Sequence, residues 1–332
     1  MHLRDTRDAI ESLDATPANP VVVTDVNGVS YSIISNTIDN AVARTPTPGL
    51  NGYGGYQIFA NDAYSHYNAL QSTLSRRWSQ GYFQAAYTWS RSTDATSTGN
   101  PAFNTAFNDE TTLNDSRGLS DFDRTHRFVA SYVYDLPFLR NSTGVVHAVL
   151  GGWAVSGITT VQSGLPFSIY DSAAGTAFIL NGSTTTLTAS IAPGATVASG
   201  YTSGSITNRL NGYVNINNFV PASLLYPNDP ANPTTTCNFT TNPNYCGTGF
   251  GNLGRNIYRG PYEQNWDFSL IKNIHLTERQ GLRFTADFFN LWNHPNFANP
   301  ASTDVESPSN FGVITSTRGE PRLIQFSLRY SF

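Results

Sequence analysis

Charged residues cluster at one point of the chain in a pattern that could support acid–base or metal chemistry. Asp121, Asp123, Arg124, His126 and Arg127 lie almost side by side. Carboxylates and an imidazole this close are groups that bind divalent metals or move protons. The cluster also stands at the start of a predicted strand, where carboxylates and guanidiniums pair with one another and with loop backbone. That second interpretation is favoured, and the sequence predicts no catalytic residue, no metal site and no cofactor.

The chain has two cysteines, Cys237 and Cys246, in a stretch rich in Pro, Asn and Thr. Two thiols are too few for a structural zinc site unless a histidine joins them, and no histidine lies nearby in the sequence. We therefore predict a disulfide that closes a small loop and contributes about 2–3 kcal/mol. A disulfide indicates an oxidising compartment such as the periplasm or the cell surface.

Three residues are candidate ligand contacts. Tyr53 lies within a glycine-rich stretch and Tyr56 follows it, and His294 stands between Asn293 and Pro295 just after a predicted strand. Both segments are typical of loops, and Pro295 favours a strand end because proline cannot donate a ladder hydrogen bond. The alternative is that these aromatic side chains line a ligand surface. Neither a glycine-rich phosphate loop that opens a helix nor a serine nucleophile elbow is present in the sequence.

Bulk composition indicates an all-β protein. Charged residues make up only 13% of the chain and aromatic residues another 13%, with 17 Tyr and 20 Phe against a single Met. A helical soluble enzyme carries about twice this fraction of charge, and aromatic residues favour strands. The net charge of −4 provides no basic surface for a nucleic acid, so we expect no nucleic-acid partner.

The last ten residues alternate between apolar and polar side chains. Ile324, Phe326, Leu328, Tyr330 and Phe332 fall on one side of an extended strand, and polar residues fall on the other. An apolar outward band and a polar inward band over roughly 9–11 residues are what a membrane-spanning β-barrel requires. A terminal Phe after such a strand resembles the signal that marks bacterial outer-membrane proteins for insertion. The alternative is an amphipathic strand of a soluble sandwich.

Six further segments show a similar alternation, and charges fall almost wholly on one face of them. They are 66–78, 82–90, 127–136, 152–162, 265–270 and 282–288. Lys272 is an exception because it follows an apolar series, which predicts either a bulge that shifts the register or an ammonium that reaches the headgroups. Together with the C-terminal strand, these segments predict seven antiparallel strands.

The connections between these strands alternate in length. Short ones occupy 79–81, 137–147 and 277–281, and long ones occupy 91–125, 164–262 and 293–320. Outer-membrane barrels pair short periplasmic turns with long extracellular loops, so the sequence predicts a transmembrane antiparallel β-barrel with long extracellular loops. If the C-terminal strand ends in the periplasm, the first strand also runs inward. We therefore assign 1–65 to an extracellular loop region or remnant of early barrel, and 66–332 to the barrel portion.

Seven segments, taken in order, resemble the C-terminal barrel of TonB-dependent receptors of the Oar-like kind. They are YNALQ (67–71), AYTWS (86–90), FDRTHR (122–127), GGWAVSG (151–157), SGLPF (163–167), GNLGRN (251–256) and FFNLWNHPNF (288–297). The resemblance covers residues 45–332 and implies an outer-membrane barrel of about 22 strands with an N-terminal plug. A signal peptide, a plug and the early strands are absent from this sequence, so we expect it to be the C-terminal part of a larger barrel.

The sequence therefore predicts a receptor and transporter wall in the outer membrane of a Gram-negative bacterium, with no enzymatic activity. Expected partners are outer-membrane lipid, the barrel-assembly machinery, TonB acting through a plug outside this chain, and a small-molecule, peptide or saccharide ligand. Two other functions stay open. One is a stand-alone porin or surface adhesin, and the other is a secreted β-sandwich that binds carbohydrate.

Overall fold

The computed structural model describes residues 2–5, 21–24, 30–33, 57–60, 63–97, 108, 116–138, 144, 149–172, 187–221, 251–277 and 279–332. The first four strands form two separate antiparallel pairs. Strand β1 (His2–Asp5) pairs with β4 (Gln57–Ala60), and β2 (Val21–Thr24) pairs with β3 (Ser30–Ile33). The division at residue 65 stays a prediction, although the first long strand does begin there.

Seven long strands form one antiparallel sheet in which each strand pairs with its neighbours in the sequence. In their order along the sheet, the strands are β5 (Ser65–Trp78), β6 (Gly81–Asp94), β8 (His126–Asp135), β9 (Trp153–Gln162), β14 (Glu263–His275), β15 (Gly281–Phe289) and β16 (Leu323–Ser331). A two-residue strand, β7 (Gly118–Leu119), pairs with the last two residues of β6. The prediction of seven antiparallel strands is confirmed.

The register places the apolar residues of neighbouring strands on one shared face. Phe284 lies opposite Leu328, and Ala286 lies opposite Phe326. Directly opposed residues share a face because side chains alternate along each strand. We call this side the apolar face and the other side, which carries Ser327, the polar face. Four residues of the predicted insertion signal, Ile324, Phe326, Leu328 and Tyr330, therefore share one face, and the fifth, Phe332, follows the end of β16.

Lys272 lies on the apolar face without any shift in register. The pairing of β14 with β9 and with β15 is continuous through this position, where Lys272 stands opposite Trp153 and Phe284. There is therefore no bulge. The ammonium instead donates to the carbonyl of Gly151 and lies 5.4 Å from the centre of the Trp153 ring. The long side chain thus carries its charge toward the connection before β9, and its contact with headgroups stays a prediction.

The connections alternate as predicted, with small differences in their bounds. Residues 79–80, 136–152 and 276–280 join strands at one end of the sheet, and residues 95–125, 163–262 and 290–322 join them at the other. Strand β15 ends at Phe289, because the residues after it form a separate turn. We call the end with the long connections the outer end.

The long connections were predicted as loops, but part of them folds around an apolar core of its own. We call this unit the cap, and in the described residues it contains β10 (Pro166–Phe167), β11 (Ser190–Ile191), a short helix (Ile206–Leu210), β12 (Phe219–Val220) and β13 (Tyr258–Arg259). Its core residues are Phe167, Ile169, Ala189, Val214, Phe219, Leu253, Tyr258, Val305 and Phe311. Among the described residues, no helix is long and apolar enough to cross a membrane.

Candidate functional site

The charged cluster of the sequence lies where the cap meets the sheet. Asp121, Asp123 and Arg124 precede β8, and each pairs with a residue that precedes or begins β14. Arg255 donates to Asp121 at 2.9 Å, and Arg124 donates to Glu263 at 2.9 Å. The Arg259 guanidinium pairs with the Asp123 carboxylate, which is almost fully buried. The cluster thus ties two distant parts of the chain together, instead of pairing mainly within itself as the sequence suggested.

Arg255 is the centre of these contacts. Its side chain is only 3% exposed, and it donates to the Asp94 carboxylate at 2.6 Å and to the Ser97 hydroxyl at 2.6 Å. The next residue, Asn256, has a φ of 55° and donates through its side-chain amide to the carbonyl of Leu119 at 2.7 Å. Asparagine tolerates this left-handed backbone better than most residues do. The GNLGRN segment is therefore a structural connector between the cap and β6.

The contacts of the cluster are those of a structural ion-pair network. Each of its carboxylates already accepts from a guanidinium, and within the described parts of the chain no group of three or more His, Cys, Asp or Glu residues could hold a metal ion. His126 lies apart from the carboxylates, and its Nδ1 is 2.8 Å from the Tyr87 hydroxyl.

A polar cleft of about 610 Å³ opens on the polar face at the outer end of the sheet. Gln162 of β9, Glu263 and Asp267 of β14 and Gln325 of β16 line it, and Arg318 closes one side. We call it the mouth cleft. The Glu263 carboxylate accepts from Arg124 and from the Gln162 amide, both at 2.9 Å, and Arg318 lies 3.6 Å away. Hydrogen-bond donors and acceptors of neighbouring strands therefore converge in the mouth cleft.

The turn after β15 shapes one wall of the mouth cleft. Asn290 and Asn293 both have left-handed backbones, with φ of 51° and 50°. The Asn290 side chain accepts from the backbone N–H of His294 at 2.9 Å and donates to the carbonyl of Glu320 at 3.2 Å. Asn296 accepts from the backbone N–H of Gln264 and donates to its carbonyl, each at 2.8 Å. The asparagines of the FFNLWNHPNF segment thus fasten this turn to β14 and to the segment before β16.

The predicted ligand contacts are only partly within the described residues. Tyr53, Tyr56 and the cysteines Cys237 and Cys246 lie outside them. His294 stands in the turn beside the mouth cleft but does not line it, and its ring centre is 6.4 Å from that of Tyr262. Its role in ligand contact and the disulfide stay predictions.

The aromatic core of the cap contains two tyrosines whose ionisation is suppressed. Burial raises the pKa of Tyr258 to about 12, and the nearby Tyr201 adds to the effect. Burial likewise raises the pKa of Tyr213 to about 12. The Tyr258 ring packs against Phe167, Tyr201 and Phe219 with centre-to-centre distances of 5.9, 5.2 and 5.5 Å. Both phenols therefore stay neutral in the folded cap up to strongly alkaline pH.

The open antiparallel sheet, with one apolar face, one polar face and loops gathered at one end, defines an outer-membrane β-barrel wall. A family model described as "outer membrane beta barrel domain" matches residues 6–325, and the chain belongs to this family. No curated protein and no solved structure matches the chain significantly. Family membership supports location in the outer membrane.

Sequence reasoning missed the roles of Arg255, Asn256 and Arg259. All three lie in or just after GNLGRN, a segment noticed only for its resemblance to a family. The available signal was charge complementarity, because two arginines of this region are opposite in sign to the three aspartates Asp94, Asp121 and Asp123. The partners lie more than 130 positions apart in the sequence, so no local pattern connects them.

Proposed function

We propose that this chain forms the C-terminal wall of a TonB-dependent, Oar-like transporter and that its mouth cleft is the entry site for a polar solute. The observation that carries the proposal is the mouth cleft itself, which lies on the polar face at the end of the sheet with the long connections. In a barrel the polar face is the lumen, so a solute that binds there stands at the entrance of the transport path.

The lining of the mouth cleft suits binding without covalent chemistry. Gln162, Asn265 and Gln325 offer amides that both donate and accept, while Glu263 and Asp267 accept and Arg318 donates. Asp267 accepts from the Asn265 amide at 2.9 Å and from the backbone N–H of Asn290 at 3.0 Å. Groups held in this way suit a small polar molecule, a peptide or a saccharide. The proposal includes no enzymatic activity.

The expected partners follow from the proposed position of the chain in the wall of an outer-membrane barrel. Outer-membrane lipid contacts the apolar face, and the barrel-assembly machinery recognises the terminal strand through Ile324 to Phe332. TonB acts through a plug that is outside this chain. A stand-alone porin or adhesin is the rival function, and the unpaired outer sides of β5 and β16 within the described residues favour a larger barrel.

The genomic DNA that precedes this coding sequence tests the proposal. We expect one continuous reading frame that encodes a signal peptide, a plug and earlier strands before residue 1. The protein from that frame should bind the purified periplasmic domain of TonB, and a matched variant without the N-terminal segment of the plug should not. A stop codon just upstream, or a full-length protein that does not bind TonB, would contradict the proposal and favour the porin or adhesin.

A further inference from the structure

A second cleft, of about 690 Å³, lies at the outer end of β5 and β6 and is distinct from the mouth cleft. His66 and Asn68 of β5, Arg91 of β6 and Arg117 before β7 contribute to its lining. We call it the basic cleft. Its strand residues are on the apolar face, because Asn68 is paired with Arg91 two positions from the pair of Leu70 and Trp89. The basic cleft therefore opens partly toward the side that faces lipid.

The rise per residue along a strand gives the level of the basic cleft relative to the membrane. Leu70 and Trp89 are large apolar side chains that are 58% and 55% exposed, as expected for residues in contact with lipid. Arg91 is two residues further toward the outer end on the same face, which corresponds to about 7 Å along the strand. Tryptophan favours the boundary between acyl chains and headgroups. Arg91 therefore stands at the level of the outer-leaflet headgroups.

The charge of the basic cleft is strongly one-sided. Among the described residues, its lining includes three arginines and one histidine and no aspartate or glutamate. Arg255 is committed to Asp94 and Asp121, whereas Arg91 and Arg117 form no ion pair with any carboxylate of the described residues. The Arg117 guanidinium lies 5.2 Å from the centre of the Tyr64 ring, which holds it at the entrance. Two guanidiniums that have no acidic partner in the described part of the chain therefore face one volume.

We propose that the basic cleft binds a phosphorylated headgroup of an outer-leaflet lipid. Guanidiniums bind phosphate oxygens with paired, charge-assisted hydrogen bonds, and these bonds are stronger at the edge of a bilayer than in bulk water. His66 and Asn68 supply further polar contacts at the edge strand. The acyl chains of the same lipid would extend inward along Leu70 and Trp89. The inference rests on placement in the outer membrane and does not depend on the transported solute.

Native mass spectrometry of the protein from the complete reading frame, in non-ionic detergent, tests this site. The wild-type protein should retain lipid A that carries two phosphates, and the double variant Arg91→Gln/Arg117→Gln should retain it about tenfold more weakly. The control Arg209→Gln removes an exposed arginine from the short helix of the cap and should retain lipid A as the wild type does. Circular dichroism checks that the three proteins have equal strand content.

Two further arms identify the source of the phosphate. Lipid A without phosphates should bind weakly to all three proteins, and inorganic phosphate at millimolar concentration should displace little of the intact lipid. If inorganic phosphate binds as tightly as lipid A, the site takes soluble anions and the lipid proposal is wrong. Equal retention of lipid A by the wild type and the double variant would also overturn it. If the double variant loses strand content, the single variants Arg91→Gln and Arg117→Gln are compared, and unchanged retention by both contradicts the proposal.

Discussion

At the scale of single residues, the connection between cap and sheet depends on Arg255. Its guanidinium is buried between Asp94 and Asp121 and also contacts Ser97. Removing one partner of a buried pair leaves a charge without compensation, which is far more costly than losing an exposed pair. Arg255 is therefore a main contact between the cap and the end of β6.

We predict that Arg255→Gln lowers the free energy of unfolding by about 3–5 kcal/mol, because Asp94 is left buried and unpaired. Urea unfolding of the detergent-solubilised protein from the complete reading frame, followed by tryptophan fluorescence, measures the change. Arg209→Gln serves as the matched control and should lie within about 0.5 kcal/mol of the wild type, since the residue is exposed. Equal midpoints for both variants would show that the buried pair does not hold the cap.

The buried tyrosines of the cap predict a loss of stability at alkaline pH. The folded pKa of Tyr258 is raised to about 12, whereas an unfolded tyrosine ionises near pH 10. The unfolded state therefore releases its proton first, so stability is constant below about pH 10 and falls between about pH 10 and 12. Tyr258→Phe should reduce this fall, and Tyr262→Phe, at an exposed tyrosine, should not. Urea unfolding at pH 8 to 12, followed by near-UV circular dichroism, measures the fall in stability of each variant.

Some residue roles could be predicted from the sequence and others could not. The ion pairing of Asp121 and Asp123 could be predicted, because carboxylates next to arginines at a strand start usually pair. Their partners could not be named, since Arg255 and Arg259 reach them only through the tertiary fold. The roles of Asn290 and Asn296 could not be predicted either. Their side chains accept from the backbone N–H groups of His294 and Gln264, respectively, and these groups come together only in the folded turn.

At the scale of elements, the two faces of the sheet carry different chemistry. Leu328 is 71% exposed on the apolar face, and it lies opposite Phe284. Ser327 is on the polar face opposite Thr285. The faces could be predicted because alternation with a period of two is a local property of a strand. The cap could not, because its core collects residues from distant short segments without any period.

We predict that Leu328→Arg impairs membrane insertion far more than Ser327→Arg does. A charge on the lipid face near the middle of the bilayer costs about 2–4 kcal/mol, whereas the polar face contacts water. The two variants are matched, since they place the same side chain at adjacent positions of β16. Heat-modifiable migration on gels reports insertion, and equal migration of both variants would contradict the assignment of the faces.

At the scale of the whole molecule, the number of long strands determines how the wall can close. In a meander of seven strands, β5 and β16 run in the same direction, so they cannot pair with each other in an antiparallel barrel. Both have one unpaired side within the described residues. Lipid offers no hydrogen bonds to such edges. A closed antiparallel barrel therefore requires additional strands between β5 and β16, and the total of about 22 strands stays a prediction from family resemblance.

The most direct test of this claim is single-channel recording in planar lipid bilayers with the chain expressed alone behind an added signal peptide. We predict no discrete conductance from a monomer, because the unpaired edges of β5 and β16 drive aggregation or capture by chaperones. Protease treatment of the same sample shows whether a compact monomer is present. A protease-resistant monomer that conducts ions in discrete steps would contradict the account and show that the chain closes a small pore by itself.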